Sequence, residues 1–153
     1  MNTLISLSKL KLFLDGIGKY VTDISTHFTL PSGWTRYGDI VMKDTVTTNK
    51  TWSEAITMKE IVLVTTQSIK VTYSDGSTKT IDQKQPYMAS ILSKETLEKF
   101  TAEQRKSVDG KWYWTSTAYG SGDRWFVNVT GDFYIDPDSF SNDYGGARLG
   151  FTL

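Results

Sequence analysis

The sequence predicts an α+β fold: a mainly antiparallel sheet with flanking helices, preceded by a separate N-terminal amphipathic helix. Three observations carry this expectation. Leucines recur at helical spacing near the start, and residues 39–81 hold four runs rich in Val, Ile, Thr and Tyr. Eleven of the twenty aromatic residues then crowd into residues 112–153 among Gly, Ser, Asp and Asn. The expected division is a helix over residues 1–30, serving to tether or oligomerise, and a domain over residues 34–153. A chain of 153 residues buries a core without staples, being well above the roughly 40-residue floor for unstapled folds.

The leading helix rests on Leu4, Leu7, Leu10, Leu14, Ile17 and Val21, spaced by three and four, one face of a helix extending to about residue 28. Ser6 or Ser8 would cap it, and Gly16 and Gly18 weaken it. Its apolar stripe either packs on its own domain or needs a partner chain. His27, at its end, is read as a helix C-terminal or solvent-exposed side chain. Pro31-Ser32-Gly33 breaks the chain.

Strands follow at Asp39–Met42, Glu60–Thr66, Ser68–Tyr73 and Ser77–Ile81. The apolar run Ile61-Val62-Leu63-Val64 predicts a central strand buried on both faces. Tyr73-Ser74-Asp75-Gly76-Ser77 predicts a hairpin turn with positive φ angles supplied by Asp-Gly. Thr51–Ile56 reads equally as a short helix start or an edge segment. Ser93 caps a helix whose inner face is Leu97 and Phe100, and Thr101–Gln104 starts a further turn. The tail predicts strands at 112–117, 124–129 and 147–152, with a short one at 132–135. Period two puts Trp112 and Trp114 on one strand face, with Tyr113 opposite, and groups Trp125, Val127 and Val129.

Composition excludes much chemistry. Zero net charge argues against a nucleic-acid partner. The absence of Cys removes disulfides, thiolate nucleophiles and thiolate metal sites, and a single His removes multi-His metal sites. No apolar run reaches the length of a membrane span. Lys9, Lys11 and Asp15 interrupt the opening apolar stretch, so no signal peptide is expected. Asp136, Asp138, Asn142 and Asp143 offer oxygen ligands for calcium, weighed against ordinary turn chemistry; otherwise no cofactor is expected. Asp132, Asp136, Asp138 and Glu103 are the carboxylates available for glycoside hydrolysis, but nothing in the sequence fixes their separation. The expectation is therefore a protein that is not an enzyme. Asn49-Lys50-Thr51 and Asn128-Val129-Thr130 match glycosylation sequons by pattern alone. Tyr119, Tyr134 and Tyr144, spaced among small polar residues, fit a recognition surface, since Tyr gives rigid contact area at low entropic cost. With Ser121, Asp123, Arg124, Asp136, Asp138, Asn142 and Asp143 they make up the candidate ligand-binding set.

Two resemblances add to this. Tyr113-Trp114-Thr115-Ser116-Thr117, Arg124-Trp125-Phe126-Val127-Asn128, the turn at Gly131 and Gly146-Ala147-Arg148-Leu149 occur in an order that resembles bacterial C-type-lectin-like domains of the Fibrobacter paralogous type. That resemblance implies a C-type-lectin-like sheet and a recognition role, with Arg148 in a closing motif that holds a buried polar network. The calcium–sugar motif of the sugar-binding lectins is not matched, because Gln85-Pro86-Tyr87 lacks the acidic residue and Trp125 is followed by Phe126. The opening Leu-rich segment resembles the first helix of small tail-associated proteins in phages of Gram-positive hosts. It implies a virion protein, or one in the bacterial cytoplasm during assembly. Such a protein would bind a host surface glycan or protein, and residues 1–28 would self-associate or dock on a phage structural protein. The alternatives are a structural tail or baseplate component without receptor binding, and a small intracellular inhibitor of a host protein. No membrane insertion is expected.

Overall fold

From Val21 onward β-branched and aromatic residues dominate, and the chain is built mainly of strands. A computed structural model describes residues 20–120, 122–135 and 144–153. Of these, 57% lie in strands of mostly antiparallel sheet, with a few short helices. The strands are β1 (Val21–Thr29), β2 (Trp34–Tyr37), β3 (Ile40–Lys43), β4 (Thr47–Lys50), β5 (Glu60–Tyr73), β6 (Thr78–Ile91), β7 (Tyr113–Tyr119), β8 (Asp123–Val127), β9 (Phe133–Ile135), β10 (Gly145–Ala147) and β11 (Leu149–Thr152). The helices α1 (Trp52–Ala55), α2 (Lys94–Leu97) and α3 (Ala102–Arg105) are single turns. No helix among the described residues is long and apolar enough to cross a membrane.

The described residues fall into two compact units, one of 20–31 with Leu63–Pro86 and the other of Ser32–Val62 with Tyr87–Leu153. In the first unit β1 pairs with β5, from Val21 opposite Tyr73 to Thr29 opposite Thr65. The tight turn from β5 to β6 is closed by the Tyr73 N–H donating to the Ser77 carbonyl at 2.9 Å. Gly76 alone takes a positive φ there, at 84°, where two had been expected. Asp75 contributes by accepting from the Ser77 N–H at 2.9 Å.

Two expectations are corrected in β1 and β5. The helix expected to reach residue 28 does not do so, because Val21–Thr29 is a strand. Its β-branched Val21, Thr22, Ile24, Thr26 and Thr29 suit a pleated surface, and Val21 matched the helical spacing by coincidence. His27 is therefore an exposed strand residue opposite Ser68. Residues 1–19 lie outside the described residues. The run 61–64 is not buried on both faces. Ile61 and Leu63 are 64% and 52% exposed, whereas Val62 and Val64 are buried, the alternation of an antiparallel strand with one wet face.

In the second unit β11 lies between β6 and β3, and β2 pairs with β3. The strands β7, β8 and β9 form a three-stranded sheet, and β4 pairs with β10. Ile40, Met42, Val46, Leu97, Tyr113 and Val127 form the core, with Tyr37, Leu92, Phe100 and Phe133 against it. Capping explains why helices only a turn long persist. Thr51 with Glu54, and Thr101 with Gln104, form reciprocal capping boxes, and the Ser93 hydroxyl accepts from the Thr96 N–H. These turns are points from which side chains reach inward. Leu97 enters the core, and the Arg105 guanidinium donates to the Gly131 carbonyl at 2.7 Å.

Arg148 fixes the junction between β10 and β11. Its side chain is buried and donates to the carbonyls of Lys43 at 2.6 Å, Arg105 at 3.0 Å and Lys106 at 3.4 Å. It also donates to the Tyr113 hydroxyl at 3.3 Å, which itself donates to the Arg105 carbonyl. Burial pushes the Tyr113 phenol above its ordinary value, and the Arg148 charge opposes that shift.

Candidate functional site

Trp112 begins the site. Its indole meets Trp114 edge-on, with centroids 5.0 Å apart, and Phe126 at 4.9 Å. Trp114 is fully buried and its Nε1–H donates to the Lys50 carbonyl at 3.0 Å, so the ring supporting Trp112 is anchored to β4. Residue pairing across β7, β8 and β9 then extends the aromatic face. Trp114 lies opposite Phe126 and Phe126 opposite Tyr134, with Phe126 and Tyr134 stacked at 6.1 Å. The row Trp112–Phe126–Tyr134 thus leads from a half-buried indole to a phenol that is 48% exposed.

The glycines of β10 allow its backbone to approach this indole. A Cβ on Gly145 would lie 2.1 Å from the Trp112 ring. One on Gly146 would lie 2.1 Å from a Val46 methyl group and 2.5 Å from the Trp112 carbonyl oxygen. No side chain fits at either position. Beyond the glycines an open cleft of about 370 Å³ is lined by Thr48, Asn49, Gly110, Lys111, Trp112, Val129, Tyr144, Gly145 and Gly146. Tyr144 is 71% exposed at its rim.

A bulge gives the cleft its polar wall. Gly145 pairs with Lys50 and Ala147 with Thr47, so β4 carries one residue more than β10 across the same interval. Asn49 takes a φ of 60° there, the one positive value at a non-glycine among the described residues. Asn tolerates this region better than most residues, and the bulge brings Thr48 and Asn49 into the lining. On the other wall the backbone of Lys111 is fixed by Ser107. The Ser107 hydroxyl accepts from the Lys111 N–H at 2.9 Å and donates to its carbonyl at 3.0 Å. No carboxylate lines the cleft among the described residues.

Of the expected ligand-binding residues, the five that are described lie in different places. Tyr144 lines the cleft, and Tyr134 ends the ring row that leads from it. Arg124 shares the Phe126 face by period two, with its guanidinium 4.1 Å from the Trp52 ring centroid. Tyr119 and Asp123 pair on the opposite face. Tyr119 is 52% exposed there and meets Trp125 edge-on at 5.9 Å. Trp125 is also covered by the Lys94 ammonium at 4.7 Å. Ser121, Asp136, Asp138, Asn142 and Asp143 lie outside the described residues, and with them the acidic loop weighed for calcium. Among the described residues no three His, Cys, Asp or Glu side chains converge as metal ligands. Asp132 accepts from the Thr130 hydroxyl at 3.0 Å, and Glu103 pairs with Lys106 at 2.9 Å; neither lines the cleft.

Thr48, Asn49, Lys111 and Val129 were not singled out from the sequence as ligand-binding residues. Asn49 and Val129 stand out in the sequence only as members of the two sequons, and Val129 also on the Trp125–Val127 face. The bulge that exposes Asn49 depends on pairing with a strand almost a hundred residues away. Compared with family models, with curated proteins and with solved structures, the chain matches none.

Proposed function

We propose that the second unit is a non-catalytic, C-type-lectin-like recognition module that binds a surface glycan in the Trp112–Tyr144 cleft. The observation that carries this is the half-buried Trp112 indole, held in place by Trp114, Phe126 and the Gly145–Gly146 backbone and open to a 370 Å³ cleft. An indole face packs against the apolar face of a pyranose, and phenols such as Tyr144 do the same while offering a hydroxyl. Thr48, Asn49 and Lys111 supply donors and acceptors for ring hydroxyls, the mix of apolar floor and few polar groups usual in ligand clefts. Among the described residues the lining groups are those of a binding surface, apolar rings beside hydroxyl, amide and ammonium groups.

An open cleft with few polar groups binds weakly as a single site and gains from presentation in several copies. The sequence resemblances supply the setting, a phage tail-associated protein that reads a host surface. A glycan-array screen of the full chain, with and without chelator, tests the reading. Tyr144→Ala should weaken binding to the array hits about tenfold, the loss of roughly 1.4 kcal/mol. Tyr119→Ala, on the opposite sheet face, should leave it within about twofold. Absence of binding to every glycan, or equal losses in the two variants, contradicts the proposal.

A further inference from the structure

The aromatic floor of the cleft continues across the sheet of β7, β8 and β9. Trp114, Phe126 and Tyr134 stand in cross-strand register, and Trp112 lies on the same face two residues before Trp114. The Trp112 and Phe126 rings are 4.9 Å apart, and those of Phe126 and Tyr134 are 6.1 Å apart. Trp112 and Tyr134 are therefore no farther apart than a short run of linked pyranose rings reaches. Phe126 holds the Tyr134 ring, yet the phenol remains 48% exposed. A single exposed aromatic residue is ordinary on a surface, but Tyr134 closes a ring row that begins in the cleft. The turn between β8 and β9 fixes that spacing. Val129, in this turn, lines the cleft. The Asn128 N–H donates to the Asp132 carbonyl at 2.8 Å, and the Gly131 N–H donates to the Asn128 carbonyl at 2.9 Å. Gly131 has a φ of 85°, and a Cβ there would lie 1.9 Å from the Ala102 carbonyl oxygen, so the turn is packed down and requires glycine.

We infer that Tyr134 is a second ring-stacking subsite, and that the ligand is an oligosaccharide lying across the strands from Trp112 to Tyr134 rather than a single terminal sugar. This rests on the reading of the cleft as a glycan site. The chemistry is the same at both ends of the row, an aromatic face against the apolar face of a pyranose. Both rings are held by their neighbours before any ligand arrives, so little side-chain freedom is lost on binding. A chain whose first sugar is seated on Trp112 presents a following sugar to Tyr134 at high effective concentration. The second contact then adds affinity with no further loss of translational freedom. Tyr119, on the other face of the sheet, takes no part.

The test is the dependence of affinity on ligand length, measured by calorimetry on the full chain. The probes are fragments of two to six pyranose units prepared from each array-positive glycan. Affinity should rise at least about fivefold from the two-unit to the longer fragments and then level off. In Tyr134→Ala that rise should vanish, while affinity for the two-unit fragment stays within about twofold of the unaltered protein. Tyr134→Phe, which keeps the ring, should retain the rise. Tyr144→Ala should weaken every length by a similar factor. If Tyr134→Ala lowers the urea midpoint, Tyr134→Leu takes its place, since it keeps apolar volume without a ring. Equal affinity at all lengths, or a rise that survives in the ringless variants, overturns the second subsite and leaves the cleft reading standing. So does an equal loss at every length in Tyr134→Ala, which would make Tyr134 a prop for Phe126. Binding of no fragment and no array glycan overturns both.

Discussion

Arg148 is a buried charge solvated by backbone carbonyls. Its bonds to Lys43, Arg105 and Lys106 join three segments far apart in sequence. Hydrogen bonds to a charged group are worth about 1.5–3 kcal/mol each, and removing the donor takes the charged partner from the Lys43 and Lys106 carbonyls, while the Arg105 carbonyl keeps the Tyr113 hydroxyl. Arg148→Ala should therefore lower stability in urea unfolding by about 2–4 kcal/mol. Arg148→Lys should recover less than half of that, because an ammonium lacks the planar fork. An unchanged midpoint would remove Arg148 from the account. Tyr113, bonded to the same carbonyl, adds a pH dependence. Its phenol is neutral when protonated, and burial raises its folded pKa above the ordinary 10. The unfolded chain therefore ionises first as pH rises. The stability from neutral Tyr113 is complete below about pH 10 and is lost as pH climbs through the raised folded value. Tyr113→Phe should cost about 1 kcal/mol at neutral pH and flatten the alkaline slope. An identical slope in the variant would contradict this.

At the scale of elements, β10 is built around what it must approach. Gly145→Ala sets a methyl group against the Trp112 ring, so the indole must move. The expected cost is about 1–3 kcal/mol, the range for overpacking, together with a changed near-ultraviolet signal from tryptophan and loss of glycan binding. Full binding in that variant would show that the seat of the indole is unimportant. The caps at Ser93 and Thr101, the β5–β6 turn and the tail strands were legible in the sequence because each is specified by residues only a few positions apart. The failures have a different origin. The leading stripe was extended through Val21 by one coincidental match, although the β-branched residues after it favour a strand. In the run 61–64 apolarity alone does not reveal which face meets water, and only the fold shows Ile61 and Leu63 outward. The cleft was the least legible part, since it depends on β4 and β10 meeting with a bulge. The position of Arg148 was expected from the closing motif, but its partners follow only from the fold.

For the whole molecule, the sequence break at Pro31 and Ser32 coincides with a boundary between units, while Leu63–Pro86 lies with the residues before it. The second unit holds the described lining of the cleft and the ring row, which is why we propose recognition there. The aromatic-rich tail announced a surface that could bind; the sheet then separated its tyrosines. Tyr134 and Tyr144 fall with Trp112, and Tyr119 falls with Trp125. The five tryptophans make that separation measurable. The most direct test is an indole N–H titration by NMR with the strongest array-selected glycan. Trp112 should shift most. Trp52 and Trp114, whose Nε1–H groups are bonded to the Thr115 and Lys50 carbonyls, should move little, and Trp125 should stay still. A dominant shift at Trp125, or none at Trp112, would contradict the cleft as the binding site.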